Sequence, residues 1–141
     1  MTTIIYSHEH QEVAFDSRAS CGRDIATDDY NKLYKVGGAK FVVAGSVSDI
    51  EILLAMYADE TIRAIPEVEA IMVEGGRVYQ VSPTEEGELR FTPVTFNIGA
   101  GSGYQWALSA LDHGATPRQA VKYATTKDSA SGGKIRVIKV K

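Results

Sequence analysis

The sequence opens Met1-Thr2-Thr3, and a small second residue such as Thr is compatible with removal of the initiator methionine. Thr2 would then carry a free α-amine beside its own hydroxyl. A Thr hydroxyl is a poor nucleophile until a nearby base takes its proton. An α-amine, with an unperturbed pKa of about 7.7–8.0, can be that base near neutral pH. One residue would then supply both the attacking oxygen and the proton acceptor. Many chains begin Met-Thr, so the same residues also read as the ordinary start of a first strand.

Other polar residues stand at intervals along the chain, each with a plain structural reading beside a chemical one. Asp16 ends the second apolar stretch, where turn residues are common. Lys32 lies in Lys32-Leu33-Tyr34-Lys35-Val36, a polar stretch in which a lysine is normally solvated and in which Lys35, or nearby Lys40, competes for any special role. Ala44-Gly45-Ser46-Val47-Ser48-Asp49 follows an apolar run. Ile98-Gly99-Ala100-Gly101-Ser102-Gly103 precedes a helix, where a Gly-Ser-Gly is a turn and cap. Asp128-Ser129-Ala130-Ser131-Gly132-Gly133 precedes the last strand, where Asp128 and Ser131 can simply close a loop.

Three other groupings carry less. His8-x-His10 would set two rings on one side of a strand, but no further Cys or His cluster completes a metal site, so an exposed hairpin is expected. Cys21 and His113 are the types of a Cys/His nucleophile pair, yet neither lies in a recognisable motif. Tyr104 and Trp106 at a helix start are expected in the core or at a subunit contact. Gly101-Ser102-Gly103 lacks the third glycine and the βαβ setting of a dinucleotide fingerprint, and no Gly-x-x-x-x-Gly-Lys-Ser/Thr phosphate loop occurs. Neither a cofactor nor a metal is expected.

The elements that must position these residues follow from composition and periodicity. The 141 residues are near the size of one domain, and a single unit over residues 1–141 is expected. Hydrophobic residues at 44% and charged residues at 23% mark a globular chain and exclude a disordered one. The formal net charge of -3 argues against nucleic-acid binding. Cys21 is the only cysteine, so no intrachain disulfide forms and nothing demands an oxidising compartment. No apolar run reaches the ~18 residues of a membrane span. MTTIIYSHEHQEV lacks the basic-then-apolar layout of a signal peptide, so a cytoplasmic location without membrane attachment is expected.

Thr2 to Ser7 and Glu12 to Asp16 read as strands joined by a turn at residues 8–11. Lys40 to Gly45 reads as a buried strand. Ser48 with Glu51 has capping-box spacing ahead of Ile50, Leu53, Leu54 and Tyr57, a helix that should stop before Pro66. Val68 to Val73 and Val78 to Val81 flank Glu74-Gly75-Gly76 as a hairpin, and Glu88 to Phe96 is a weaker strand because of Pro93. Gly101-Ser102-Gly103 opens a helix to about Asp112, with Gly114 as its stop. Thr116-Pro117-Arg118-Gln119 opens another, to about Thr126, with an N-cap, a proline in the first turn and a capping box. Lys134 to Lys141 alternates as a final strand. Strands, helix, strands, two helices and strand, in that order, favour antiparallel sheets with helices layered outside them.

The polar set, taken in order, resembles the proteasome β-subunit and the HslV-type threonine peptidase family of N-terminal-nucleophile hydrolases. TTIIYS resembles the family's mature N-terminus, AFDSR its strand end with the acidic residue, and KLYKV the segment that begins with its lysine. AGSVSD resembles its glycine turn before the first helix, GSGYQWAL its turn into a later helix, and DSASGGKIRV its closing Asp-x-x-Ser-Gly-Gly. The stretch from about Tyr57 to Phe96 does not match and is too short for the family's long second helix, which implies a shortened member.

The resemblance implies an α+β fold, a four-layer αββα sandwich in which two mainly antiparallel sheets pack between helices. It implies Thr2 as nucleophile and its α-amine as base, with Lys32 lowering the pKa of the hydroxyl and Asp16 pairing with Lys32. It implies the Gly45 N–H as the oxyanion donor, and Ser102, Asp128 and Ser131 as hydrogen-bonding partners around the amine. The reaction implied is peptide hydrolysis through an acyl-enzyme ester, on peptide or unfolded-protein substrates. The implied assembly is a homo-oligomeric ring, single or double, of six or seven subunits, served by a separate ATP-driven unfoldase. As in HslV-type enzymes, no propeptide is expected ahead of Thr2, so that only Met1 would need to leave. If Met1 stays, the amine is acylated and the site is inactive. Two other readings of the same fold stand beside this one: a non-catalytic ring or assembly protein, and an amidase acting on a non-peptide amide.

Overall fold

In the computed structural model, which describes residues 2–141, the chain runs β1 (Ile4–Ser7), β2 (Glu12–Phe15), β3 (Ala19–Cys21), β4 (Asp24–Thr27), β5 (Leu33–Val36), β6 (Ala39–Gly45), α1 (Val47–Ala58), β7 (Val68–Glu74), β8 (Arg77–Pro83), β9 (Leu89–Pro93), β10 (Ile98–Ala100), α2 (Tyr104–Asp112), α3 (Pro117–Thr125) and β11 (Arg136–Lys139). One sheet has the order β10-β1-β2-β11 and the other β5-β6-β7-β8-β9, while β3 and β4 form a separate hairpin. Every pairing is antiparallel.

Strand side chains alternate between two faces, and here both faces of the central strands are covered. Ile4, Tyr6, Val13 and Phe15 from one sheet meet Val42, Ala44, Ile71, Val73 and Val78 from the other in the middle layer. The intervening residues point outward. Ile5 and Ala14 pack under α2 and α3 against Ala107, Leu111, Ala120, Val121 and Ala124. Phe41, Val43, Ala70 and Met72 pack under Ile50 and Leu53 of α1. The result is helix, sheet, sheet, helix: the four-layer αββα sandwich expected. It also explains why β1 and β6 read as nearly unbroken apolar runs.

The helix at residues 116–125 matches its sequence signature, with Thr116 and Gln119 closing a capping box and Pro117 in the first turn. The first helix does not. Its cap is Ser46, whose Oγ accepts from the Asp49 amide at 3.2 Å, so the Ser48–Glu51 box lies inside α1. The helix ends at Ala58, and residues 59–67 carry no regular structure before β7. The expected shortening of the middle therefore corresponds to a chain that reaches β7 with no second helix. The first strand starts at Ile4 rather than Thr2. The β3–β4 hairpin was not expected, because its residues are mostly exposed and carry no apolar alternation. β5 and β10, of four and three residues, are too short to show a period. Trp106 is 39% exposed and so is not a core residue. The expectation about Met1 falls outside the described residues.

Phe15 is wholly buried between the sheets. Phe15→Ala should cost about 3–5 kcal/mol in the free energy of unfolding, read from urea denaturation.

Candidate active site

Asp16 organises the site. The β1–β2 ladder continues one step beyond the strands: the Asp16 amide donates to the Thr3 carbonyl at 3.2 Å, and the Thr3 amide donates to Asp16 Oδ1 at 3.0 Å. The carboxylate is 0% exposed. It also accepts from Lys32 Nζ at 2.8 Å, Gly132 N at 2.9 Å and Arg18 N at 3.3 Å. Lys32, immediately before β5, is 4% exposed, and its Nζ lies 3.0 Å from Thr2 Oγ1. Lys35 is exposed and Lys40 half-buried, so Lys32 is the lysine of this site. Burial pushes the Lys32 pKa down and the Asp16 charge pulls it back up, with the net value below that of an ordinary lysine.

A second acid serves the other side of Thr2. Asp128 Oδ2 accepts from Ser102 Oγ at 2.6 Å and from Ser131 Oγ at 2.8 Å, and Oδ1 accepts from the Ala130 amide at 3.1 Å. Thr2 N donates to Ser102 Oγ at 3.3 Å. Burial raises the Asp128 pKa, but the hydrogen bonds from Ser102, Ser131 and Ala130 outweigh it and hold the carboxyl below its ordinary value. Of the seven residues singled out, Thr2, Asp16, Lys32, Ser102, Asp128 and Ser131 are joined by one set of hydrogen bonds. Gly45 shares with Thr2 and Lys32 a cleft of about 410 Å³, also lined by Arg18, Tyr30, Tyr34 and Ile50. Gly45 has a φ of +152°, and a Cβ there would come within 2.9 Å of the Glu67 carbonyl oxygen, so no larger residue fits without backbone movement.

Several residues here were not legible in the sequence. Tyr34, two along from Lys32, shares its side of the chain, and its hydroxyl meets that of Tyr30 at 2.9 Å. Arg18 bonds Asp28 at 2.8 Å and the Ser129 carbonyl at 2.9 Å, bracing the loop that carries Asp128 and Ser131. His8, His10 and His113 do not line the cleft, whereas Cys21 sits between two residues that do, Ser20 and Gly22. His8 meets the Tyr6 hydroxyl and His10 the Ser7 hydroxyl, Cys21 is exposed, and His113 Nδ1 faces the Ser109 carbonyl. Among the described residues no group of three or more His, Cys, Asp and Glu could hold a metal ion, and no helix is long and apolar enough to cross a membrane.

No protein-family model matches the chain, and no curated protein matches it at a significant level. Solved structures do. Eukaryotic HslV from Trypanosoma brucei superposes with a TM-score of 0.71 at 19% identity, covering 97% of this chain and 98% of that one. BPH from Thiobacillus denitrificans, in complex with epoxomicin, gives 0.72 at 15% identity over 99% and 100% of the two chains. The chain has the HslV fold. The αββα layering implied by the resemblance is thus also the layering of its solved neighbours, and Thr2 lies two residues ahead of β1.

Chemically, a Thr hydroxyl facing a buried ammonium has its alkoxide stabilised by Coulomb attraction in a low-dielectric setting. Removing that ammonium strands the Asp16 charge. Lys32→Met should cost about 3–5 kcal/mol of stability by chemical denaturation. The depressed Asp128 pKa has its own signature. An unfolded Asp takes up its proton near pH ~3.9 while native Asp128 remains ionised. The stabilisation is therefore whole above that pH and is lost as the pH falls through the folded value. Denaturation curves between pH 6 and pH 3 should show a shallower acid loss in Asp128→Asn than in the wild type.

Proposed function

We propose that the chain is a threonine-type peptidase subunit whose nucleophile is Thr2, exposed by loss of Met1. The observation that carries this reading is the position of Lys32 Nζ, 3.0 Å from Thr2 Oγ1 and 2.8 Å from Asp16 Oδ1 in a buried setting. An ammonium needs no such placement to pack a core; here it faces the one hydroxyl that also has a potential base in its own residue.

In this mechanism the Thr2 α-amine takes the hydroxyl proton as Oγ1 attacks the carbonyl carbon of the scissile peptide bond. Lys32 offsets the charge developing on Oγ1, and Asp16 keeps Lys32 oriented. The carbonyl oxygen becomes an oxyanion beside the Gly45 N–H, a type of donor worth ~10²–10³-fold in rate. The protonated amine, held by Ser102 and through it by Asp128, then passes its proton to the leaving nitrogen as the C–N bond breaks. The product is an ester on Thr2. Water, activated by the now neutral amine, cleaves that ester and restores the hydroxyl. Ser131 shares Asp128 with Ser102 and fixes the carboxylate.

The reading extends to assembly. We propose a homo-oligomeric ring with the Thr2 sites facing an inner chamber, fed with unfolded polypeptide by a separate ATP-driven unfoldase. Exposed apolar residues such as Val47, Ile65, Phe96 and Trp106 supply surface for subunit contacts. Epoxomicin, with which BPH forms a complex, should bind this chain in the cleft that Thr2 and Lys32 line.

The expected outcomes are specific. Intact mass of the purified protein should lack Met1, and the protein should hydrolyse fluorogenic peptides. Thr2→Ala should keep the wild-type melting temperature and assembly while peptide hydrolysis falls to the uncatalysed rate, and epoxomicin should raise the melting temperature of the wild type. Full retention of Met1 with no hydrolysis would instead establish a non-catalytic ring or assembly protein. Hydrolysis surviving in Thr2→Ala would remove Thr2 from the role.

A further inference from the structure

The reaction above makes no use of Thr3, whose hydroxyl is nonetheless wholly buried among its reacting groups. Thr3 Oγ1 lies 2.7 Å from Ser131 Oγ. Ser131 Oγ donates to Asp128 Oδ2 at 2.8 Å. A hydroxyl has one proton, so Ser131, having given its own to Asp128, can only accept from Thr3. Thr3 is therefore the donor, and the chain of protons runs Thr3 to Ser131 to Asp128. Ser102 likewise commits its proton to Asp128 Oδ2 at 2.6 Å, which leaves its lone pairs for Thr2 N.

Thr3 is tied to the other acid as well. Its amide donates to Asp16 Oδ1 at 3.0 Å, the same oxygen that Lys32 binds. It thus bonds directly to the acid that holds the lysine and, through one hydroxyl, to the acid that serves the amine. Space for its hydroxyl is built in: a Cβ on Gly103 would run into Thr3 Oγ1. No buried side-chain nitrogen or oxygen among the described residues lacks a partner, so the proton order has no slack group to absorb a change.

We propose that Thr3 is a positioning residue of this site: by donating to Ser131, its hydroxyl strengthens the hydrogen bond that Ser131 gives the Asp128 carboxylate, the same carboxylate that fixes Ser102 beside the Thr2 amine. The proposal rests on the peptidase reading for its effect on rate, but not for the hydrogen-bond order itself. A hydroxyl that accepts a hydrogen bond donates a stronger one, so loss of the Thr3 donor weakens the grip of Ser131 on the Asp128 carboxylate. The charges facing Asp128 are the Lys32 ammonium and, once Met1 is gone, the Thr2 amine; Arg18 reaches the same loop at Ser129 O.

The test replaces Thr3 with the isosteric Val and with Ser. In Thr3→Val the Asp128 carboxyl, followed by carbon-13 NMR, should titrate at a higher pH than in the wild type. For peptide hydrolysis kcat should fall about ten-fold with KM unchanged, the size typical of lost outer hydrogen bonds. Thr3→Ser, which keeps the proton, should restore both. An Asp128 titration identical in Thr3→Val and wild type overturns the proposal, as does a shift that Thr3→Ser fails to reverse. If Thr3→Val does not fold, Thr3→Cys, a weak donor, takes its place and must show a smaller shift of the same sign; no shift overturns the proposal. A wild type that hydrolyses no peptide yet shows the Asp128 shift in Thr3→Val defeats the peptidase reading and leaves the proton order standing.

Discussion

A carboxylate shut away from water must find every partner within the protein, and Asp16 is such a group. Leaving a buried charge unmatched costs several kcal/mol, so the fold must deliver donors to it. They come from separate parts of the chain: the Thr3 amide ahead of β1, the Arg18 amide just past β2, the Lys32 ammonium ahead of β5, and the Gly132 amide in the turn before β11. Meeting this one solvation requirement draws the N-terminal segment, the entry to the second sheet and the closing turn to a common point. The geometry around Thr2 follows from it.

Two acids divide the work around Thr2. Asp16 faces a cation and main-chain amides, so its charge is compensated and its place is rigid. Asp128 faces hydroxyls and an amide, which stabilise its charge without cancelling it. Thr2 stands between them, with its side-chain oxygen toward Lys32 and its nitrogen toward Ser102. The oxygen is thus set against positive charge, while the nitrogen is set against a hydrogen-bond acceptor backed by negative charge. That polarity favours moving a proton from the first to the second.

Much of the sandwich is legible in the sequence because its central strands are buried on both faces and its last helix, α3, carries a strong cap. Val42-Val43 and Ile4-Ile5 announce strands by being apolar throughout, and Thr116 with Gln119 announces a helix start by its reciprocal hydrogen bonds. α1 misleads because Ser46 and Ser48 both offer hydroxyls near the start, and only the backbone decides which one caps. The β3–β4 hairpin is silent because its residues face solvent and its pairing is local. The site itself is legible only as an ordered set. No local property of Lys32 distinguishes it from Lys35; the contrast comes from Asp16, sixteen positions away, which only folding brings to it. Thr3 escapes notice because the partner of its hydroxyl, Ser131, lies 128 positions away.

The outer face of the five-stranded sheet carries only α1 among the described residues. Tyr57 near the end of that helix stands edge-on to Phe41 at 4.9 Å and to Phe91 at 6.0 Å, and Phe91 in the edge strand β9 is 40% exposed. A short aromatic row thus does what a further helix would do elsewhere. Four of the five β9 residues are exposed, so thermal breathing should begin at that edge strand rather than around the buried Asp16. A molecule arranged this way can accept sequence drift, insertions or a grafted segment along that rim while the end that carries Thr2 and Asp16 keeps its shape.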